Sequence, residues 1–301
     1  MRMRLLTGAA TALAIFAALA ATTSAATTSQ THYYLALGDS LSAGYQPAAN
    51  GGGDETTQGY VYQLYNYEKR FVPNLKLVDL GCPGDTTTSL LTGVGDTASA
   101  KLFHCDRAGG SQLKAAVSFL KSHHARGEVP LVTIDIGAND VDGCATVPSA
   151  QLLSCVTGGI NSINTNTPKI LGALAKAAPK GARLFGMNLY DPVLDDWFLP
   201  AANPLQTLGE GSVMLLQQVN SAIQSDDTAA GFRTADVADA FHSYDATDTL
   251  TYNGVSVPEN VAYVCAWTWA CSPPPVGPNI HANDLGYGVI AQAFEKVVGK
   301  L

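Results

Sequence analysis

Four short polar stretches of the sequence carry side chains that are able to do chemistry. They read GDS at residues 38–40, GCPGD at 81–85, GAND at 137–140 and PNIHAND at 278–284. A serine hydroxyl is a weak nucleophile and needs a base within hydrogen-bond reach to take its proton. Ser40 offers the hydroxyl, and His281 is the best-placed base among the six histidines. His242 is the alternative base, which we disfavour because it lies close to the end of the fifth predicted strand.

Acyl transfer through a serine also requires hydrogen-bond donors for the oxyanion of the tetrahedral intermediate. We expect three of them: the backbone N–H of Ser40 at a helix start, the backbone N–H of Gly84, and the side-chain amide of Asn139. Each residue also has a purely structural explanation, as a helix N-cap, a turn glycine and a loop amide, respectively. The functional interpretation therefore depends on all of them meeting in one place.

Five apolar runs are predicted to be the strands that position these residues. They are YYLAL (33–37), LKLVDL (75–80), PLVTIDI (130–136), ARLFGMN (182–188) and FRTADV (232–237). Several are apolar on both faces, which is typical of strands covered by helices on each side. Segments with helical spacing alternate with them, as in Leu113, Val117 and Leu120. This alternation predicts an α/β fold with a parallel sheet between two layers of helices.

The first three polar stretches directly follow the first three strands, and the fourth precedes the last predicted helix. In an open parallel sheet, sites form in the crevice outside the carboxyl ends of the strands. We therefore expect the stretches to converge there. Two segments fall outside the alternation: a Gly-rich loop at 47–59, and residues 240–280, which we expect to be irregular. Trp267 and Trp269 in the second segment either line an apolar pocket or cap the core.

The four stretches, taken in order, resemble the four sequence blocks of the SGNH hydrolases, also called GDSL esterases and lipases. The resemblance spans residues 33 to about 298. It implies a three-layer, flavodoxin-like α/β/α sandwich with a five-stranded parallel sheet, and hydrolysis of esters through an acyl-serine. By block, it implies that Ser40 is the nucleophile, that Ser40, Gly84 and Asn139 form the oxyanion hole, and that His281 is the base.

One position departs from the pattern of that family. The family usually has an aspartate three residues before the histidine, and this chain has Pro278 there. Such an aspartate orients the imidazole and stabilises its protonated form. We therefore expect a Ser40–His281 dyad in which a backbone carbonyl near Pro278 or Asn279 accepts the second ring N–H.

The N-terminal residues read as a secretory signal peptide, with two arginines, a short apolar stretch and a small-residue site near residue 25. We expect residues 1–26 to be this signal and residues 27–301 to be one hydrolase domain, secreted from the cell and without a stable membrane anchor. An uncleaved membrane anchor is the alternative, disfavoured because the apolar stretch is short. The net charge is −8, from 17 Lys and Arg against 25 Asp and Glu, and no basic run occurs. We therefore expect no nucleic-acid partner.

All six cysteines lie beyond the predicted signal, and an even number in an exported chain favours disulfides. Sequence alone does not choose among the pairings. We expect the sequential set, because each bond then closes a short local loop: Cys82 with Cys105, Cys144 with Cys155, and Cys265 with Cys271. No Cys-x-x-Cys or His-Glu-x-x-His spacing indicates a metal site.

The sequence as a whole predicts a secreted, monomeric serine esterase or lipase that acts on a small-molecule or lipid ester and needs no cofactor or metal. Two alternatives remain open. A carbohydrate O-deacetylase would use the same chemistry on acetyl groups, and a catalytically silent binding module would keep only the fold.

Overall fold

The computed structural model describes residues 30–94, 103, 105, 110–200 and 203–301. The strands are β1 (His32–Leu37), β2 (Tyr45–Pro47), β3 (Gly53–Glu55), β4 (Leu75–Asp79), β5 (Leu131–Ile134), β6 (Arg183–Met187), β7 (Arg233–Ala235), β8 (Thr249–Tyr252), β9 (Val255–Pro258), β10 (Thr268–Trp269) and β11 (Asn279–Ala282). The helices are α1 (Tyr60–Glu68), α2 (Thr87–Thr92), α3 (Gln112–Ser122), α4 (Ala138–Asp142), α5 (Ser149–Ala177), α6 (Pro204–Ala230), α7 (Val237–Ala240), α8 (Glu259–Trp267) and α9 (Asp284–Val298), with 3₁₀ turns at Gly143–Thr146 and Pro192–Phe198.

The central sheet has five parallel strands in the order β4-β1-β5-β6-β7. These strands correspond to the five apolar runs of the sequence, so the predicted parallel sheet is confirmed. Numbered by their position along the chain, the sheet strands have the order 2-1-3-4-5, which is the flavodoxin-like arrangement. Strand β1 lies at the topological switch point, where the strand order reverses and a crevice opens at the carboxyl ends of the strands.

Alternate residues of β1 point into two separate hydrophobic cores, one on each face of the sheet. Tyr34 and Ala36 are buried in the core that includes apolar residues of α1 and α9. Leu35 and Leu37 are buried in the core that includes apolar residues of α3 and α5. A strand covered on both faces in this way has no polar side, which explains its continuous apolar run. The predicted three-layer α/β/α sandwich is therefore confirmed.

Residues 240–280 were predicted to be irregular, and that prediction is wrong. The segment holds the antiparallel β8–β9 hairpin, helix α8 and strand β10, which pairs with β11. The turn of the hairpin is Asn253-Gly254, with both residues at positive φ, and this dipeptide is a strong hairpin signal. Helix α8 buries residues around most of its circumference, so it lacks the apolar stripe by which a surface helix is predicted. The Gly-rich loop at 47–59 likewise includes the end of β2 and the whole of β3, which pair as a short hairpin.

The three sequential disulfides are all present, which confirms the predicted pairing: Cys82–Cys105, Cys144–Cys155 and Cys265–Cys271. The last of them closes a short loop around β10, and β10 pairs with β11, the strand that carries His281.

Replacing Cys265 and Cys271 together by serine is expected to lower the free energy of unfolding by about 2 kcal/mol, the loop-closure value for so short a loop. Urea unfolding of the variant and the parent, followed by circular dichroism, measures this difference. An unchanged midpoint and slope would show that the bond does not restrain the unfolded chain.

The signal-peptide prediction concerns residues that lie outside the part of the chain that the structure describes. Within the described ranges, no helix combines the length and the apolar character that crossing a membrane requires.

Candidate active site

Ser40 and His281 meet at the carboxyl ends of the central strands, although 241 residues separate them in the sequence. The Oγ of Ser40 lies 2.7 Å from Nε2 of His281, which is hydrogen-bond distance. Ser40 is buried, with 7% of its surface exposed, and follows the last residues of β1. The structure therefore brings the predicted nucleophile and the predicted base into direct contact.

The chain turns sharply after β1 because Gly38 has a φ of +149° and packs against Asp135. A Cβ atom at Gly38 would collide with the Asp135 carboxyl group, so only glycine fits this position. The backbone N–H of Asp39 donates to Asp135 Oδ2 at 3.2 Å, and Asp39 Oδ1 accepts the N–H of Leu41 at 3.0 Å. These bonds fix a tight turn at Ser40. The expected helix start is absent there, because residues 40–44 form turns only.

The second ring nitrogen of His281 contacts a side chain, not the backbone. Nδ1 lies 2.6 Å from Oδ1 of Asn279, and the same oxygen accepts the backbone N–H of His281 at 3.1 Å. Because a backbone donor fixes this atom as the oxygen of the amide, Nδ1 must carry the ring proton. Nε2 is then free to accept the Ser40 hydroxyl. The predicted acceptor, a backbone carbonyl near Pro278 or Asn279, is corrected to the Asn279 side chain.

Burial lowers the pKa of His281 to about 4. The ring packs against Tyr45, with 4.3 Å between the two centroids, and the hydroxyl of Tyr190 donates to the carbonyl of Ile280 at 2.7 Å. At neutral pH the imidazole is therefore uncharged and held in the tautomer that accepts a proton from Ser40.

The acid limb of the kcat/KM profile is expected near pH 4, not near 6.5, because only the uncharged ring is able to act as a base. An Asn279→Asp variant should move this limb upward by about 1 to 3 pH units, since a carboxylate beside the ring favours its charged form. Measurement of kcat/KM from pH 3 to pH 8 for the wild type and for Asn279→Asp tests both expectations. Coincident profiles would show that the group next to Nδ1 does not control the base.

Asn139 and Gly84 lie on neighbouring segments that follow β5 and β4, respectively. Asn139 is in α4, and its Nδ2 donates to the carbonyl of Asp85 at 3.0 Å. Gly84 directly precedes Asp85 and has a φ of +85°, so this turn also favours glycine. Asp140 accepts both the N–H and the hydroxyl of Thr87, at 2.8 and 2.7 Å. This pair of hydrogen bonds ties α4 to the first turn of α2 and holds Asn139 against the Gly84 turn.

Gln112 also holds the crevice together, and no motif in the sequence marks it. Its side chain is buried and pairs with the Gly38 backbone as a neighbouring strand would. Oε1 accepts the Gly38 N–H at 2.7 Å, and Nε2 donates to the Gly38 carbonyl at 2.9 Å. Nε2 also donates to Asp85 Oδ2 at 2.9 Å. Gln112 therefore connects the turn before Ser40 to the turn that contains Gly84.

An apolar cavity of about 220 Å³ opens beside Ser40 and runs between helices α5 and α6. Its apolar lining includes Leu41, Val141, Leu152, Val156, Ile160, Leu189, Val193, Leu215, Leu216, Val219 and Ile280. Asn139 and His281 border the same cavity. It is shaped to receive an apolar chain attached to a group at Ser40.

Trp267 and Trp269 are not among the residues that line this cavity. Trp267 packs on Phe241, and the indole N–H of Trp269 donates to Gln46 at 2.6 Å. Of the two interpretations of these tryptophans, core packing is therefore the one that fits. His242 lies outside the cavity lining as well, and its Nδ1 contacts Asp245 at 2.9 Å and Glu259 at 3.3 Å.

The Ser40–His281 pair at the carboxyl ends of the strands of a parallel α/β/α sandwich is the arrangement of a serine hydrolase. The family model described as the GDSL-like lipase/acylhydrolase family matches residues 36–289. The chain belongs to this family and is a carboxylic ester hydrolase.

Several solved structures are similar to the chain. An extracellular lipase from Streptomyces rimosus has 16% identity and a TM-score of 0.48, over 78% of this chain and 99% of that one. The aryl esterase of M. smegmatis has 15% identity and a TM-score of 0.45, over 90% and 100%. A carbohydrate acetylesterase family member from Sinorhizobium meliloti has 13% identity and a TM-score of 0.48, over 89% and 97%. No curated protein gives a significant match.

Proposed function

We propose that the enzyme hydrolyses carboxylic esters through an acyl-Ser40 intermediate. The observation that carries this proposal is the 2.7 Å contact between Ser40 Oγ and His281 Nε2 at the mouth of an apolar cavity. Ser40 attacks the ester carbonyl while His281 takes its proton, and His281 then protonates the departing alkoxide. Water, activated by the same imidazole, hydrolyses the acyl-enzyme.

The backbone N–H groups of Ser40 and Gly84 and the amide of Asn139 stabilise the oxyanion of each tetrahedral intermediate. Asn139 has a second amide hydrogen besides the one bonded to Asp85, so it is able to donate to substrate while it stays anchored. Asn279 acts as a positioning residue for His281. It supplies an acceptor without a full charge, so the imidazolium is less stabilised than beside an aspartate.

The cavity favours acyl groups longer than acetyl. An acetyl group would leave most of the apolar lining without contacts, whereas a longer chain gains hydrophobic free energy for each buried methylene. This argument favours an esterase or lipase over the carbohydrate O-deacetylase that the sequence left open.

We also propose that the protein is exported, with residues 1–26 as a cleaved signal and residues 27–301 as the monomeric hydrolase domain. Three disulfides support this, since such bonds persist in oxidising compartments.

Hydrolysis of p-nitrophenyl acetate, butyrate, octanoate and palmitate by the mature protein tests the substrate range. We expect kcat/KM to rise from acetate to butyrate by about tenfold or more, since each buried methylene contributes about 0.8 kcal/mol. A maximum at acetate would favour the deacetylase, and no turnover of any ester would contradict the proposed function.

A further inference from the structure

Three carboxyl groups line the cavity. Asp39 is engaged in the turn at Ser40, where it accepts the N–H of Leu41, whereas Asp142 and Asp191 take no part in the proposed chemistry. They are unexpected there, because most of the lining is apolar, with Tyr190 and Ser212 as polar neighbours, and a carboxyl group loses hydration on entering such a site. Their positions indicate what this cavity accepts.

Asp142 lies three residues after Asn139 in helix α4. Residues at this spacing share a helix face, with about 5–6 Å between their Cβ atoms. The Asp142 side chain is only partly exposed, and it makes no hydrogen bond to any residue that the structure describes. Burial, with the nearby Asp140 and Asp191, raises the pKa of Asp142 to about 7.

Asp191 is almost completely buried, with 3% of its surface exposed. One of its oxygens, Oδ1, accepts the N–H of Val193 at 3.3 Å. The other, Oδ2, is buried and has no hydrogen-bond partner among the described residues. Such an unpaired group is costly in a folded protein and calls for an explanation. Burial raises the pKa of Asp191 to about 6, against smaller opposing effects of the nearby Ser212 hydroxyl and the Val193 N–H.

We propose that Asp142, with the Asp191 carboxyl group nearby in the same lining, binds a hydroxyl group on the acyl chain of the substrate. The preferred substrates are then esters of hydroxy acids. This inference rests on the proposed function, since it assigns the cavity to the acyl group. The distance from Asn139 to Asp142 places the hydroxyl a few carbons along the chain from the ester carbonyl.

A hydroxyl group suits this site better than the other polar groups of comparable size. It both donates and accepts, and so matches a carboxyl group in either protonation state. An ammonium group would have to lose its hydration in a cavity that is lined mostly by apolar side chains. An unsubstituted chain would cover the two carboxyl groups without providing a partner.

The test compares p-nitrophenyl butanoate with its 3-hydroxy analogue and p-nitrophenyl hexanoate with its 6-hydroxy analogue. For at least one pair, the wild-type kcat/KM for the hydroxy ester should exceed that for the parent by about tenfold or more, as for a hydrogen bond made in a desolvated site. Asp142→Leu should abolish or reverse this ratio, and Asp142→Asn should retain part of it, since an amide also donates and accepts.

Asp195→Leu is the matched control. Asp195 is also a partly buried carboxyl group, with a pKa raised by burial to about 7, but it does not line the cavity. In Asp195→Leu, the ratio of kcat/KM for the hydroxy ester to kcat/KM for the parent ester should equal that of the wild type. Because the test reads a ratio of two substrates on one protein, it does not depend on the fraction of each variant that folds.

A wild-type ratio near one in both pairs, or a preference that survives in Asp142→Leu, would overturn this inference and leave the proposed function intact. Failure of the wild type to turn over any ester, or equal turnover by Ser40→Ala, would instead overturn the proposed function and the inference with it.

Discussion

Ser40→Ala is expected to lower kcat on every accepted ester by about 10⁶-fold, the scale of loss when the nucleophile of a serine hydrolase is removed. The reason is that the variant has no atom to form the acyl-enzyme, so only oxyanion stabilisation and binding remain. Steady-state release of p-nitrophenol measures the loss. A burst assay on the wild type should, in addition, show about one equivalent of product per active site whenever deacylation limits the rate.

Three further variants test this result more closely. His281→Ala should lose nearly as much as Ser40→Ala, and the double variant should lose no more than either one, because the two groups act as a unit. Ser42→Ala is the matched control: Ser42 is also buried, and its hydroxyl donates to Asp79 at 2.9 Å. It should keep most of the activity. Additive losses in the double variant would show that Ser40 and His281 do not share one catalytic step.

Asn139→Ala is expected to lower kcat by about 10²- to 10³-fold with little change in KM, the effect of removing one oxyanion donor. Affinity for a phosphonate transition-state analogue should fall in parallel, because the amide donates to charge that develops only in the transition state. Kinetics on the butyrate ester and inhibition by the phosphonate provide the two measurements.

Asn166→Ala serves as the control for this prediction. Its amide also bridges to the segment that follows β4, donating to Thr87 at 3.2 Å and Thr88 at 3.0 Å in the first turn of α2, but it does not line the cavity. Its kcat should remain close to that of the wild type. An equal loss in both variants would mean that Asn139 acts only by holding the segment between β4 and α2 in place.

The strands and the catalytic pair could be predicted from the sequence because each has a local signal. Strand β1 is buried on both faces, so its apolar run is unbroken, and Ser40 follows it within three residues. The carboxyl ends of parallel strands share one edge of the sheet, which places Ser40 and Asn139 in the same crevice from their order alone.

The partner of His281 and the role of Gln112 could not be predicted in this way. Asn279 orients the His281 ring through its side chain, two residues away in the sequence. The same sequence is equally compatible with a backbone carbonyl as the acceptor. Gln112 acts across 74 residues, by taking the place of a strand beside Gly38. Neither contact follows from spacing or periodicity, because both depend on how separate loops are packed.

The 241-residue separation between Ser40 and His281 has a consequence for how the enzyme acquires activity. Closing a chain loop of this length requires that the four sheet strands between the two residues, β4, β5, β6 and β7, first find their order, and such non-local contacts form slowly. Ester hydrolysis is therefore a late event in refolding. A chain that has regained most of its helices and its fluorescence, but in which β11 with His281 has not yet packed beside Ser40, would still be inert, so turnover reports complete assembly.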